Sequence, residues 1–352
     1  MTDVLKVAAV FIGTIVGAGL ASGQEIMQFF CVYGKNGFYG IAVCCLIYIL
    51  LSFIIINLCY TFKFKSYQDI LAYTFGKNFG KIAVAILTFF IFSGNVIMLS
   101  GGGAMIYEYV GIAPIWGILL MSAFAFLAAC YSSKGLIAVN SLIVPFSTLI
   151  IFTIGIFAIT SSFHNKAFYY DPLSLPASKS YEWLFSAILY AAFNLIAATG
   201  VICPLTHKFK NKKTFIHGCI LGSIVLSLLA VSICFSLLYY LPQSFRFEIP
   251  NLYVAKQYGA MLPFALTIII WFEMFSTEVS NLYSLSSVLQ NSIHFSNTKA
   301  IVCILLVSFP FTLFGFSNLI RLLYPAYGIL GLFFISKCFV NFLAPKHTYK
   351  CK

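Results

Sequence analysis

The amino-acid sequence predicts an all-α membrane protein with ten transmembrane helices, arranged as two halves of five helices in inverted orientation. Of its 352 residues, 61% are hydrophobic and only 9% are charged, whereas soluble domains carry about a quarter charged residues. The apolar residues form long runs that match the ~20 residues a helix needs to cross a bilayer. They lack the alternation typical of outer-membrane barrels. Lipid is therefore the expected solvent over most of the surface.

Ten apolar runs are candidate spans. They are residues 4–33, 38–62, 82–110, 113–131, 136–160, 181–205, 215–241, 261–290, 299–319 and 322–343. The division between the last two is the weakest, because only Arg321 and Lys337 interrupt residues 299–343. After the second span, Ser66 and Asp69 have the spacing of a capping box, which predicts a short helix along the cytoplasmic interface.

The distribution of Lys and Arg predicts that both termini face the cytoplasm. With the N-terminus inside, fifteen of the 21 basic residues fall on the cytoplasmic side. The six outside are Lys35, Lys166, Lys179, Arg246, Lys256 and Arg321. Positive residues favour the cytoplasmic side of membrane proteins, and the membrane we expect is the inner membrane of a bacterium.

Several functional classes are disfavoured by the same composition. The net charge of +12 is explained by cytoplasmic loops and does not predict a nucleic-acid partner. The 11 cysteines form no CxxC pair and are expected to act as small apolar residues. We find no Walker motif, no H-E-x-x-H motif and no nucleophile with a base. No enzyme and no cofactor is therefore predicted.

The chain is expected to form one transmembrane domain, 1–352. Within it we predict a first repeat over 1–160, a linker over 161–180, a second repeat over 181–343 and a short cytoplasmic tail over 344–352. Five crossings reverse the direction of the chain, so two halves that share a fold would be inverted copies. Inverted repeats are a transporter architecture, and such transporters bind their ligands at discontinuous helices.

Span 1 has the features of a discontinuous helix. Four glycines, the first Gly13 and the last Gly23, occur within eleven residues, and each costs about 1 kcal/mol in a helix relative to Ala. Ser22 and Glu25 then have capping-box spacing, which marks a helix start. We predict a half-helix to about Val16, an open stretch near 17–21 and a second half-helix from about Gly23. The alternative is a glycine face for close helix packing.

Span 6 is the corresponding first span of the second half. It contains Asn194, Thr199 and Gly200 within an apolar run, with Pro204 beyond them. This predicts a second break at 194–200, although the signal is weaker than in span 1.

Span 8 contains two acids, Glu273 and Glu278, and intramembrane acids mark functional sites by default. Glu273, Ser276 and Thr277 share one helical face, and Glu278 points elsewhere. Carboxyl and hydroxyl oxygens on one face are suitable ligands for an alkali cation. The alternative is that the hydroxyls donate to backbone carbonyls of their own helix. In span 3, Ser93 and Asn95 could line a cavity or join helices.

The stretch GTIVGAGLASGQEIMQFF at 13–30, with YAAFNL at 190–195, resembles the YkvI-type membrane proteins of the amino acid–polyamine–cation superfamily. The resemblance covers the ten-span length and implies the LeuT-like inverted-repeat fold, with broken helices 1 and 6. It implies one sodium ion as the coupling ion. The ligands would be the carbonyls of Gly13, Val16 and Glu273 and the hydroxyls of Ser276 and Thr277.

The resemblance also implies where a substrate binds. A bound amino acid would present its carboxylate to the N–H groups of Ala18 and Gly19, with Ser93, Asn95, Asn194 and Thr199 lining the site. Leu20 stands where relatives with a second sodium have Asn, so we expect at most one sodium. Glu25 and Glu278 are candidates for proton binding or gating, and Glu273 could carry a proton in place of sodium.

These observations predict a cation-coupled symporter of a small zwitterion, in the simplest case an amino acid, that works by alternating access. The expected partners are a small-molecule substrate, the coupling cation and the lipid bilayer, and the oligomeric state is left open. The alternatives are a proton-coupled transporter of another small solute and a non-transporting sensor on a transporter fold. A channel and an intramembrane enzyme fit the sequence less well.

Overall fold

A computed structural model describes residues 2–64, 67–76, 80–131, 136–164, 181–206, 209, 211–293 and 295–344. These residues form helices and no strand. The helices are α1 (Thr2–Ile15), α2 (Ala18–Ser22), α3 (Gln24–Phe29), α4 (Lys35–Phe62), α5 (Tyr67–Phe75), α6 (Gly80–Val110), α7 (Pro114–Tyr131), α8 (Leu136–His164), α9 (Glu182–Leu205), α10 (Lys212–Tyr239), α11 (Pro250–Lys256), α12 (Met261–Ile293), α13 (Asn297–Thr312) and α14 (Phe316–Leu343). The fold class predicted from composition, all-α, agrees with this architecture.

Seven helices in the described part of the chain are long and apolar enough to cross a bilayer by themselves. They are α4, α6, α8, α9, α10, α12 and α14. The apolar helices α7 and α13 are shorter, and the first predicted span is divided among α1, α2 and α3. The chain is a multi-pass membrane protein.

Helix α9 lies in the interior and packs against α4, α14 and α1. Two glycines of α14 make the closest approach. A Cβ added at Gly331 would lie 2.5 Å from the carbonyl oxygen of Ala192, and one added at Gly328 would lie 2.8 Å from that of Leu189. Small residues let helix backbones approach closely inside a membrane. Both positions therefore require glycine for steric reasons.

The first span is interrupted twice. Helix α1 ends with a hydrogen bond from the Val16 N–H to the Ile12 carbonyl at 2.7 Å, and Gly17 is extended, with φ −141° and ψ −176°. The chain then forms the single turn α2, turns through Gly23 at φ 86° and continues as α3. The sequence predicts an open stretch near 17–21, but residues 18–21 are helical in α2.

The Ser22 side chain bonds to both α2 and α3. Its hydroxyl donates to the Gly19 carbonyl at 2.8 Å and accepts from the Gln24 N–H at 3.2 Å. The side chain therefore joins α2 to α3 across Gly23, in place of the predicted pairing of Ser22 with Glu25.

The predicted break in span 6 is wrong. Helix α9 runs from Glu182 to Leu205 without interruption. Asn194 donates from Nδ2 to the Tyr190 carbonyl at 3.1 Å, and the Thr199 hydroxyl donates to the Leu195 carbonyl at 2.7 Å. Both polar side chains bond to carbonyls of their own helix, which satisfies them without a break.

Other predicted boundaries also move. Helix α13 ends at Thr312 and α14 begins at Phe316, so the division expected at 319–322 lies earlier and Arg321 is inside α14. Gly315, with φ 85°, makes the turn between the two helices. Helix α8 continues to His164, which places the predicted linker start at 161 within a helix. The rest of the linker, at 165–180, and most of the predicted tail, at 345–352, lie outside the described residues.

The short helix expected after span 2 is present as α5, although Ser66 of its predicted capping box is outside the described residues. Ile70 and Tyr73 are buried, and α5 packs against α9, α14 and α6. One face of this helix is therefore covered by protein. Between α10 and α12 the chain forms a 3-10 turn at Gln243–Arg246 and helix α11.

We predict that Gly331→Ala destabilises the protein by about 1–3 kcal/mol, because its Cβ would overlap the α9 backbone and overpacking costs that much. Gly200→Ala on α9 is the matched control, since a Cβ there meets no atom within 4 Å. It should be neutral or slightly stabilising. Thermal unfolding of the two variants in detergent measures the difference. Equal melting temperatures would show that the α9–α14 contact is looser than described.

Candidate functional site

The interruption between α1 and α2 leaves backbone carbonyls without partners. The carbonyls of Gly13, Thr14, Ile15 and Val16 receive no backbone hydrogen bond from any described residue, because the last bond of α1 goes to Ile12. In a bilayer, such groups are tolerated only where they line a cavity or are buried in protein. Open space borders Gly17, where an added Cβ would meet no atom within 4 Å. Carbonyl oxygens of this kind are ligands for hard cations.

Helix α12 places two oxygen-bearing side chains in the interior. Glu273 and Ser276 are buried, and neither carboxylate oxygen of Glu273 nor the Ser276 hydroxyl has a hydrogen-bond partner. Most other hydroxyls on this helix bond to their own backbone. The hydroxyl of Ser280, for example, donates to the Ser276 carbonyl at 3.0 Å. The Ser276 hydroxyl is therefore free to ligate an ion.

Thr277 is exposed, whereas its neighbour Ser276 is buried. The side chains of Ser280 and Ser287 are also exposed, and Ser284 between them is half-buried. These four residues recur at intervals of three or four and form one hydroxyl-bearing face of α12, running from the level of Ser276 toward the end of the helix. The predicted pair is thus split: Ser276 faces the interior and Thr277 faces open space.

Helix α8 contributes residues that the sequence analysis missed. Ser147 is fully buried and lies beside Glu273. The hydroxyls of Ser147 and Thr148 have no hydrogen-bond partner. Val144, on the same helix, contacts Gly13, since a Cβ added there would lie 3.5 Å from its side chain. The available signal was a Ser-Thr pair directly after Pro145–Phe146 in an apolar run, which is too common in membrane helices to single out.

Glu25 lies on the other side of the interruption, on α3. Its Oε2 accepts a hydrogen bond from the Tyr190 hydroxyl of α9 at 3.1 Å, and Tyr324 of α14 lies beside it. The carboxylate packs directly on the α-carbon of Gly19, where an added Cβ would lie 2.0 Å from Oε1. Glu25 therefore links the first span to α9 and α14.

The residues expected to line a substrate site are only partly brought together. Ala18 and Gly19 are buried in α2, at the interruption. Ser93 donates to the Phe89 carbonyl of its own helix at 2.8 Å, and Asn95 donates to the Ser308 hydroxyl of α13 at 2.7 Å. Asn95 therefore joins α6 to α13. Asn194 and Thr199 bond to the α9 backbone, as described above.

Glu278 occupies a different environment. It is fully buried, with no partner for either carboxylate oxygen. It lies on the side of α12 that carries Asn281, whose amide nitrogen would lie 3.1 Å from a Cβ added at Gly94 of α6. Glu278 therefore belongs to the packing interface of α12 with α6 rather than to the face of Ser276.

The segment between α10 and α12 is tied to three other parts of the protein. Glu108 of α6 accepts the N–H groups of Glu248 and Ile249, and the Lys256 ammonium donates to the Glu108 carbonyl. Glu248 accepts the Phe316 N–H at the start of α14 at 2.7 Å. Asn251 donates to the Ala21 carbonyl at 2.8 Å. We call these contacts the latch; the sequence predicted no role for Glu108 or Glu248.

Two known proteins are similar to this chain in sequence. No family model matches the chain. It is 30% identical over 333 residues to the uncharacterized membrane protein YkvI of Bacillus subtilis (strain 168), covering 94% of this chain and 93% of that protein. It is 25% identical over 331 residues to the uncharacterized protein YyaD of the same organism, covering 94% of each.

Solved transporter structures share the fold. The inward-facing conformation of Mhp1 matches with a TM-score of 0.67 at 14% identity, over 96% of this chain and 76% of that one. A manganese transporter of Eremococcus coleocola matches with a TM-score of 0.59 at 12% identity, over 96% and 78%. At these identities the likeness establishes the LeuT fold.

We predict that Glu248→Ala lowers the stability of the protein by about 1.5–3 kcal/mol, the range for hydrogen bonds to a charged group. The variant removes the acceptor for the first N–H groups of α14. Glu182→Ala, at an exposed acid in the first turn of α9, is the matched control and should change stability by less than about 0.5 kcal/mol. Chemical denaturation of both variants in detergent tests this. A Glu248 variant as stable as the control would exclude the latch as a stabilising contact.

Proposed function

This chain belongs to the family of YkvI-type bacterial membrane proteins, and from that premise we propose that it is a cation-coupled secondary transporter of a small zwitterionic solute. An amino acid is the simplest such solute. Transport proceeds by alternating access in the inner membrane. The ten-span topology, the inverted repeat and cytoplasmic termini are part of the proposal, and the Lys and Arg distribution supports them.

The unpartnered carbonyls of Gly13 to Val16 carry the proposal. A bare carbonyl in a membrane interior costs several kcal/mol, and a bound cation removes that cost. The free hydroxyl of Ser276 and the unpaired carboxylate of Glu273 supply further oxygens on α12. An interrupted helix beside buried hard oxygens is the arrangement in which transporters of this fold class hold ions.

Sodium is the first candidate ion. Its ligands would be the carbonyls of Gly13, Val16 and Glu273 and the hydroxyls of Ser276 and Thr277. Thr277 is exposed, so it would join this site only if that side of the site is open to water.

A proton is the alternative coupling ion. Glu273 and Glu278 are buried without partners, and an intramembrane carboxyl is a typical proton carrier. If sodium binds at the carbonyl site, a sodium gradient drives uptake. If a proton binds to Glu273 or Glu278, a pH gradient drives it.

We predict that sodium raises the melting temperature of the purified protein relative to potassium or choline at equal ionic strength. Binding to the folded state at 100 times Kd stabilises by about 2.7 kcal/mol. Ser276→Ala should weaken this sodium effect because it removes a ligand oxygen. Ser280→Ala is the control, since that hydroxyl is bound to the backbone and should leave the effect intact. Thr277→Val should also raise the sodium concentration required.

Uptake into proteoliposomes completes the test. Uptake driven by a sodium gradient and weakened by Ser276→Ala supports the sodium site. Uptake that ignores sodium but follows a pH gradient would move coupling to Glu273 or Glu278. Solute binding without uptake under either gradient would contradict a transporter and favour a sensor.

A further inference from the structure

A cavity of about 860 Å³ lies next to the latch, among the ends of four helices. Helix α6 ends and α7 begins on one side of it, and α13 ends and α14 begins on the other. None of its lining residues belongs to α1, α2, α3, α9 or α12, so the cavity is separate from the candidate ion site. Its volume is in the range of about 300–1,000 Å³ that is typical of ligand sites.

Two opposite charges line this cavity without pairing with each other. Arg246 is exposed, and its guanidinium makes no ion pair with any described residue. Glu248 uses Oε2 to accept the Phe316 N–H, and its Oε1 accepts no hydrogen bond from the described residues. The third charged residue of the lining, Glu108, has both oxygens engaged by the N–H groups of Glu248 and Ile249. One guanidinium and one carboxylate oxygen therefore remain available to a ligand.

These two groups define the charge of the ligand. A guanidinium binds phosphate or carboxylate in a planar, bidentate arrangement, and a carboxylate accepts hydrogen bonds from an ammonium. A simple cation would be repelled by Arg246, and a simple anion would be repelled by Glu248. A molecule that carries both an anionic group and an ammonium satisfies the two side chains together.

The apolar surface around the cavity indicates what else the ligand contains. Ile115 of α7 and Leu313 in the turn before α14 line the cavity and are exposed. Trp116 and Leu119 extend this exposed apolar surface along α7, and Phe314 extends it beside the turn. Because the chain is a multi-pass membrane protein, such a surface at the helix ends faces acyl chains close to the level of the lipid headgroups.

We propose that this cavity binds the headgroup of a zwitterionic phospholipid of the phosphatidylethanolamine type. Arg246 holds the phosphate, Glu248 holds the ammonium, and the acyl chains lie on the exposed apolar residues of α7 and of the turn before α14. Since Glu248 also accepts the first N–H groups of α14, the bound lipid stabilises the latch. This site goes beyond the proposed transport function and does not depend on it.

Short-chain lipids test the proposal on the full-length protein, purified and delipidated in detergent. Dihexanoyl phosphatidylethanolamine is compared with dihexanoyl phosphatidylglycerol, which has the same chains and a phosphate but no ammonium. Thermal shift as a function of lipid concentration gives the apparent affinity of each. We expect the ethanolamine lipid to bind about ten-fold or more tightly, because only it pairs with Glu248. Free phosphoethanolamine should bind about ten-fold or more weakly than the lipid, because it lacks the acyl chains.

Variants of the two charged residues provide the second arm. Arg246→Gln should weaken the binding of both lipids by about ten-fold or more, because it removes the phosphate partner. Glu248→Gln keeps an acceptor for the Phe316 N–H and removes the charge, so it should abolish the preference for the ethanolamine lipid. Arg321→Gln, at an exposed arginine of α14 outside the cavity lining, is the matched control and should bind both lipids as the wild type does.

Each contrary result is informative. Equal affinity for the two lipids, no binding of either, or wild-type affinity in Arg246→Gln would overturn the proposal. Since Arg246 takes no part in the latch, its variant tests the site even if Glu248→Gln does not fold. Free phosphoethanolamine that binds as tightly as the lipid would overturn the lipid assignment in favour of a free zwitterion. The effect of sodium on stability and uptake is measured separately, so failure here leaves cation coupling intact.

Discussion

The backbone hydrogen bonds missing at the carbonyls of Gly13 to Val16 are the constraint on which the rest of the structure depends. A helix end normally finds water or a side-chain cap, but this one lies inside a bundle of apolar helices. Ser147 on α8 and Ser276 on α12 bring hydroxyls to this region, and Glu273 brings a carboxylate. Carbonyl and carboxylate oxygens both accept, so a cation bound among them would satisfy both.

The electrostatics of the interior follow from this arrangement. Two buried acids belong to this region, Glu25 on α3 and Glu273 on α12. Glu25 is held by the Tyr190 hydroxyl and packed on Gly19, so its position is set by the first span and α9 together. No Lys, Arg or His is buried among the described residues, so each acid is balanced either by a bound cation or by a proton.

Two acids join the segment between α10 and α12 to the rest of the protein. Glu108 accepts backbone N–H groups of the segment that precedes α11, and Glu248 accepts those at the start of α14. Asn251 reaches the Ala21 carbonyl of α2. These contacts connect α6, α14 and α2, so a movement of one of them must break or carry the others.

The sequence by itself determined what depends on local chemistry. Composition and run length established an all-α membrane protein, and the cluster of glycines located the region where the first span leaves helical geometry, because glycine weakens a helix regardless of its neighbours. The same local reasoning failed for α9. Asn194 and Thr199 look like a break in sequence, yet each bonds to a carbonyl of its own helix, and the close packing of Gly328 and Gly331 on the α9 backbone accommodates a continuous helix.

Only the tertiary structure decided which polar groups meet. Ser276 and Thr277 are adjacent in sequence, but the packing of α12 buries one hydroxyl and exposes the other. Ser147 reaches Glu273 because α8 packs on α12, and the Glu25 carboxylate reaches Gly19 because the turn at Gly23 folds α3 back toward α2. These distances arise from helix packing and from turns of the backbone, which residue type and spacing do not encode locally.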